Sequence, residues 1–255
     1  MSKLIQWPRA QYWDKPWNPI IGCKPCSPAC EHCYAAAWAK RFGQSFEPHQ
    51  SSQTRPPRKG VVFCGNMTDL FGERLYCGEM ASYIQAANGF SDAIYLWLTK
   101  RVRRMASALD YATRKMSFCV DDSPHYFGFT AENQEWYEKR LQLRAASAPM
   151  FPDWANLWVS CEPLLGPIDL GLIFCGELVK PVYKWVVVGC ESGPNRRPCK
   201  IEWVESIVEQ CLAANVSVFV KQLDIGGKCV TDINKFPKHL QIRQVPWTKK
   251  GETKK

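Results

Sequence analysis

Residues 60–101 read GVVFCGNMTDLFGERLYCGEMASYIQAANGFSDAIYLWLTKR. Gly60–Cys64 is a short, unbroken apolar run that stops at Gly65, Asn66 and Asp69. A helical stretch follows over roughly Met80 to Asn88, and Ala93–Leu98 is a second apolar run, ending in Thr99, Lys100 and Arg101. Unbroken apolar runs, unlike alternating ones, belong to strands covered on both faces. A helix-length segment between two of them is the crossover of a parallel pair.

The same unit repeats outward. Val102 to Thr113 reads as helix; Tyr126–Phe129 ends in Thr130 and Glu132 before a helix over Gln134 to Ala146. Leu157–Val159 ends in Ser160 and Glu162, and Trp185–Val188 ends in Gly189 and Glu191 before a helix from Glu202 to Ala214. Val216–Val220 ends in Lys221 and Gln222. Upstream, Asn18 to Gly22 is a short extended run, Tyr34 to Phe42 an alanine-rich helix, and Gln44 to Lys59 a polar, proline-bearing surface loop. Six or seven strand–helix units predict an α/β fold: a partial (β/α)6-type barrel of parallel strands with outer helices. Its carboxyl strand ends would share one mouth. A doubly wound open sheet is the alternative, and it ranks second because no G-x-G-x-x-G follows the first strand. Residues 1–247 are expected to form one domain, with Thr248–Lys255 (TKKGETKK) a disordered basic tail.

Composition limits the classes of function. Hydrophobic residues at 46% and aromatics at 13% sustain a packed core, and 33 basic against 24 acidic residues give +9, which favours an anionic partner. No stretch approaches a membrane span, and the N-terminal segment MSKLIQWPRAQYW lacks an apolar signal core. The expected setting is a reducing cytoplasm, where most of the 13 cysteines serve as small buried hydrophobes.

Four cysteines stand apart from the rest. Cys23, Cys26, Cys30 and Cys33 fall within eleven residues, WNPIIGCKPCSPACEHCYAAAWAKRF over Trp17–Phe42, and the last three are spaced C-x3-C-x2-C. Three thiolates on so short a loop suit three corners of a cubane iron–sulfur cluster. A four-cysteine zinc site is the rival, but zinc knuckles are usually well separated in sequence.

With an aromatic, Tyr34, after the last cysteine and a helix behind it, the loop resembles the radical S-adenosylmethionine (SAM) superfamily. More narrowly, WNPIIGC, SPACEHCYA, NMTDLF, LTKR, SCEPLLGPIDL, VVVGCESGPNRRP and VKQ, running from Trp17 to Gln222, resemble a phage-encoded radical-SAM-like family of unknown function. That family usually carries cysteines at the places of Cys23, Cys30 and Cys33, so the added Cys26 leaves two candidates for the third cluster ligand.

The resemblance implies a [4Fe–4S] cluster whose open iron takes SAM and which, reduced by an external electron donor, yields a 5′-deoxyadenosyl radical. It implies that Gly65, Asn66 and Asp69 present the loop after the second strand to SAM; Asp69 as a helix N-cap is the plainer reading. Thr99 and Glu132 would also serve the cofactor, and Glu162 and Glu191 the chemistry, unless they close the barrel rim as salt bridges. Cys161 and Cys190, expected to open onto the same mouth, are candidate hydrogen-atom donors or else simple packing. Lys100, Arg101, Arg196, Arg197 and Lys221 would meet the phosphates of a DNA or modified-nucleoside substrate, whereas Arg103 and Arg104 read as a solvated helix face. Trp13, Trp17, Trp38, Trp97 and Tyr95 are aromatics of the kind that stack on bases, although most, Trp97 above all, read as core.

The phage association implies host-cytoplasmic thymidine hypermodification, an isomerisation of an amino-acid adduct on the base. A pyrimidine-dimer repair enzyme of the spore-photoproduct-lyase kind, and a non-catalytic cysteine–metal partner that binds nucleic acid, are the alternatives.

Overall fold

The computed structural model describes residues 5–116, 125–146, 156–174, 177–178, 183–193 and 195–247. The tail expected over 248–255 lies outside them. The chain is mixed α/β, with parallel strands flanked by helices, and its described residues group into two compact units. One takes the described residues within 13–130 and 138–156; the other takes those within 5–12, 131–137 and 157–247. No helix among the described residues is long and apolar enough to cross a membrane.

The first unit is built on β1 (Lys15–Trp17), α1 (Tyr34–Arg41), β2 (Gly60–Cys64), α2 (Cys77–Ala86), β3 (Ala93–Thr99), α3 (Val102–Lys115) and β4 (His125–Thr130). Its strands lie in the order β1-β2-β3-β4, all parallel. Register sets Trp17 opposite Cys64, Cys64 opposite Trp97 and Trp97 opposite Phe127. All four side chains of that row are buried, which is why these runs carry no alternating polar residues. Removing one such large side chain from water is worth about 1.5–3 kcal/mol. Helix α3 buries Val102, Met105, Ala106, Leu109 and Ala112, spaced three and four apart, so its apolar stripe faces the core.

Three local expectations are corrected. The first parallel strand is Lys15–Trp17 and not Asn18 to Gly22. Ile20–Ile21 instead pairs antiparallel with His49–Gln50, inside the segment read as loop. The strand breaks where the Asn18 side chain turns away to donate to Asn66 Oδ1 (2.7 Å) and accept from the Met67 N–H (3.0 Å). Helix α2 starts earlier than Met80, at Cys77, because Glu79 reaches back to accept from the Tyr76 N–H at 2.8 Å. Arg104 is no solvated charge: its guanidinium donates to the carbonyls of Phe71 (2.9 Å), Gly72 (2.9 Å) and Leu75, and so ties down the chain between β2 and α2. Arg103 is exposed, as expected.

Helix α4 (Gln134–Ala146) carries residues of both units. The second unit contains β5 (Asn156–Cys161), β6 (Trp185–Gly189), α5 (Ile201–Ala213), β7 (Ser217–Ile225) and β8 (Lys228–Val230). β5, β6 and β7 are parallel neighbours, and β8 folds back antiparallel on β7. Its core is aromatic: Trp185 lies 5.0 Å from Trp158 and 5.0 Å from Trp247, with Tyr12 edge-on at 5.2 Å. The one polar atom of the Trp185 ring is satisfied, as Nε1 donates to the Gln244 carbonyl at 2.9 Å. Helix α5 adds Val204, Ile207, Val208 and Cys211.

Candidate metal centre and polar strand ends

The cysteine loop leaves the short strand Ile20–Ile21 through Gly22, whose φ of +91° and close approach to backbone admit no side chain; a Cβ there would stand 2.5 Å from the carbonyl oxygens of Phe46 and Glu47. The Cys23 N–H then bonds the Phe46 carbonyl at 3.0 Å. A single 3-10 turn, Pro28–Cys30, brings Cys30 back along the loop, and Cys33 forms the N-cap of α1. All four thiols are half-buried.

Hydrogen bonds converge on Cys30. Its Sγ accepts from the Cys26 N–H at 3.5 Å and lies 3.8 Å from Ser27 Oγ. A hydrogen bond from the Cys26 thiol, supported by the Lys100 ammonium, outweighs burial and brings the Cys30 thiol down to about 4. Cys26 is pushed up by that same hydrogen bond and then by burial, so it stays protonated as the donor. Cys23 is also raised, by burial first and then by Asp69, with Arg101 opposing. Its Sγ lies 3.9 Å from Arg101 Nη1. Among the described residues, no three His, Cys, Asp or Glu side chains close on a single ion.

Beside the loop, Asp69 binds the end of β3. Thr99 Oγ1 donates to both of its carboxylate oxygens (2.8 and 3.0 Å), the Lys100 N–H donates at 3.1 Å, and Arg101 Nη1 at 3.2 Å. Arg101 Nη2 continues to the Lys24 carbonyl at 2.8 Å, so this network grips the cysteine loop itself. Asp69 also accepts from the Phe71 N–H at 3.0 Å, a local turn well ahead of α2, and therefore does not cap that helix. Gly65 turns with φ +81°, where a Cβ would meet Leu70 at 3.0 Å. Asn66 accepts from Asn18 through its side chain and from the Tyr34 hydroxyl through its carbonyl. A cleft lined by Gly22, Cys23, Thr68, Asp69, Glu73 and Arg74 opens next to this network. Asn18, the hub of these contacts, was not singled out from sequence; the signal for it is an amide at the point where an apolar run breaks.

In the second unit the strand-end residues pair with one another. Glu162 Oε1 lies 3.0 Å from Lys221 Nζ, and the same oxygen presses on Gly189, where a Cβ would stand 2.8 Å away. Glu191 accepts from the Arg197 N–H at 2.8 Å and from the Arg197 guanidinium. Arg196 makes a two-pronged bond to Asp224, at 2.9 and 3.1 Å, and both residues are half-buried. That bond holds the Asp224 carboxyl below its usual range. Asp224 was likewise missed in sequence, because its partner lies 28 residues away. Glu132 is fully buried. Cys161 and Cys190 are buried too, at 0% and 1% exposure, and burial pushes both thiols up. Of the strand-end set in this unit, Lys221 alone keeps substantial exposure alongside Arg197, with side chains 32% and 27% exposed.

A family model described as a protein of unknown function (DUF5131) matches residues 8–246. No curated protein and no solved structure matches the chain.

Proposed function

The chain belongs to the DUF5131 family, whose function is unknown, and from its own residues we propose a radical SAM-type enzyme that acts on nucleic acid. The observation that carries this reading is the cysteine loop: four half-buried thiols within Cys23–Cys33, with hydrogen bonds converging on Cys30 Sγ. Cys30, Cys33 and either Cys23 or Cys26 would hold three irons of a [4Fe–4S] cluster. Three ligands from so short a loop suit a cubane, whereas zinc knuckles are usually well separated in sequence.

Bound there, the cluster and SAM supply one-electron cleavage of a sulfonium bond, with the electron coming from an external donor. The chain's share is electrostatic and positional. Arg101 is fixed by Asp69 and by the Lys24 carbonyl, so its positive charge faces the loop 3.9 Å from Cys23 Sγ and offsets thiolate charge. Asp69 and Thr99 act through Arg101 on this view and not by touching the methionyl group. Asn18 and Asn66 hold the loop after β2 against the start of the cysteine loop. The excess of nine positive charges supports a polyanionic substrate.

Anaerobic reconstitution with iron and sulfide, then addition of dithionite and SAM, tests the reading. A brown protein with about four irons per chain that releases 5′-deoxyadenosine is expected. A colourless protein with stoichiometric zinc and no SAM cleavage overturns it in favour of a cysteine–metal binding module.

A further inference from the structure

Helix α1 follows the cysteine loop directly and presents an unusual face. Tyr34, Trp38 and Phe42, spaced four residues apart at α1 and its C-cap, are 55%, 45% and 57% exposed. They are half of the six large hydrophobic side chains exposed among the described residues, so the exposure is concentrated on one short helix and not scattered. Ala35 and Ala39 take the buried side, which leaves the rings outward.

The face has internal order. Trp38 and Phe42 pack against each other, with ring centroids 4.8 Å apart and planes inclined by 49°, and the Arg41 guanidinium lies 5.9 Å from the Phe42 ring. Tyr34 is anchored by its hydroxyl to the Asn66 carbonyl and so stands as a second ring one helical turn back. The charge is of one sign. Lys40 and Arg41 are both exposed, and no acidic residue lies between Glu31 and Glu47.

From this we propose that the Tyr34–Trp38–Phe42 face of α1 binds single-stranded nucleic acid, with unstacked bases on the rings and phosphates on Lys40 and Arg41. Rings interleaved with cations on one helix are the combination that base stacking and phosphate neutralisation require together. An acidic protein surface would use the cations and leave the stacking rings without a role. The inference rests on the nucleic-acid half of the reading above and not on the cluster.

The test is fluorescence anisotropy of a labelled oligothymidylate of about ten nucleotides with the full chain, with iron content measured on every variant. Trp38→Ala is expected to weaken binding by about 5- to 140-fold, and Trp38→Phe, which keeps a ring, to recover most of it. Heparin, a polyanion without bases, should bind Trp38→Ala and the parent chain equally. Lys40→Gln with Arg41→Gln should make the salt dependence shallower by about 0.7 per charge. Unchanged oligonucleotide affinity in both Trp38→Ala and Phe42→Ala overturns the proposal. So does equal loss of heparin and oligonucleotide binding, or polyglutamate binding as tightly as the oligonucleotide and with the same dependence on Trp38. If the parent chain takes up no iron yet its oligonucleotide affinity depends on Trp38, the cluster reading fails and this one stands.

Discussion

Asp69 and Arg101 form an ion pair of 3.2 Å with side chains 10% and 8% exposed, and it joins the loop after β2 to the end of β3. From there Arg101 reaches the Lys24 carbonyl, so one guanidinium couples two strand ends to the cysteine loop. Removing one member of a pair this buried strands the other charge. Asp69→Asn is therefore expected to cost about 3–5 kcal/mol, read as a lower urea midpoint at an unchanged slope. Arg101→Ala should cost less stability per atom removed yet loosen Cys23, so iron uptake should fall more than the midpoint does. Equal small losses in both variants, within about 0.5 kcal/mol, would show that the pair is not structural.

The cysteines should not be equivalent. Cys30→Ala and Cys33→Ala are each expected to abolish cluster binding, since three thiolates leave no spare at those corners. Cys23→Ala and Cys26→Ala should differ, one destroying the cluster and the other sparing most of it. Cys26 is the stronger candidate for the ligand because the C-x3-C-x2-C spacing includes it and its N–H meets Cys30 Sγ at 3.5 Å. Iron content and the thiolate-to-iron absorbance decide between them, and equal loss in both would mean a four-cysteine site.

His125 gives the chain a pH dependence of its own. It is fully buried among Tyr95, Trp97 and Phe127, and Trp97 Nε1 donates to its Nδ1 at 3.0 Å. Burial lowers it to about 3, so the folded state keeps it neutral. Above about 6.5 neither folded nor unfolded chain binds the proton; below it only the unfolded chain does. Stability should therefore fall by about 1.4 kcal/mol per pH unit from roughly 6.5 downward, levelling off near 3. His125→Phe should flatten that limb in acid denaturation series, whatever it costs at neutral pH. A slope that survives the substitution assigns the effect to carboxylates.

How far the sequence reached follows from where each signal lives. The runs over β2, β3 and β6 are legible because burial on both faces makes them unbroken and apolar. Lys15–Trp17 is not, because KPW is short and polar and Pro16 can sit there only because the strand has a single neighbour in its unit. The cysteine loop was legible from spacing alone. The partners of the carboxylates were not: Asp69 meets Arg101 and Asp224 meets Arg196 through contacts that depend on the finished fold. Arg104 misled for the same reason, since its three backbone acceptors lie about thirty residues upstream of it.

Gly189 is held small by its neighbour. Because a Cβ there would stand 2.8 Å from Glu162 Oε1 and 3.2 Å from Gln222 Cγ, Gly189→Ala must shift the end of the Glu162 side chain that pairs with Lys221. A loss of about 1–3 kcal/mol is expected, and most of it should vanish in Glu162→Ala, which empties the space. A double-mutant cycle by urea denaturation measures that coupling. Strictly additive costs would place the strain elsewhere.

Arg196 and Arg197 carry charges that the sequence offered to phosphate, yet each already has a carboxylate. Arg196 holds Asp224 with two hydrogen bonds, and Arg197 holds Glu191 with its guanidinium and its own N–H. A guanidinium so engaged releases few counterions when a polyanion arrives, because its charge is locally neutralised. Arg196→Gln and Arg197→Gln are thus expected to leave the slope of log K against log salt for oligonucleotide binding unchanged within about 0.3, while lowering the unfolding midpoint. Arg196→Gln should also change the acid limb. The Arg196 hydrogen bond depresses the Asp224 carboxyl, so its contribution to stability is present above the ordinary carboxylate value and fades as pH falls through the depressed one. Without Arg196 that contribution should shrink, so less stability is left to lose as pH falls below the ordinary carboxylate value. A salt slope that drops by about 0.7 per substitution would instead return both arginines to the phosphate-binding surface.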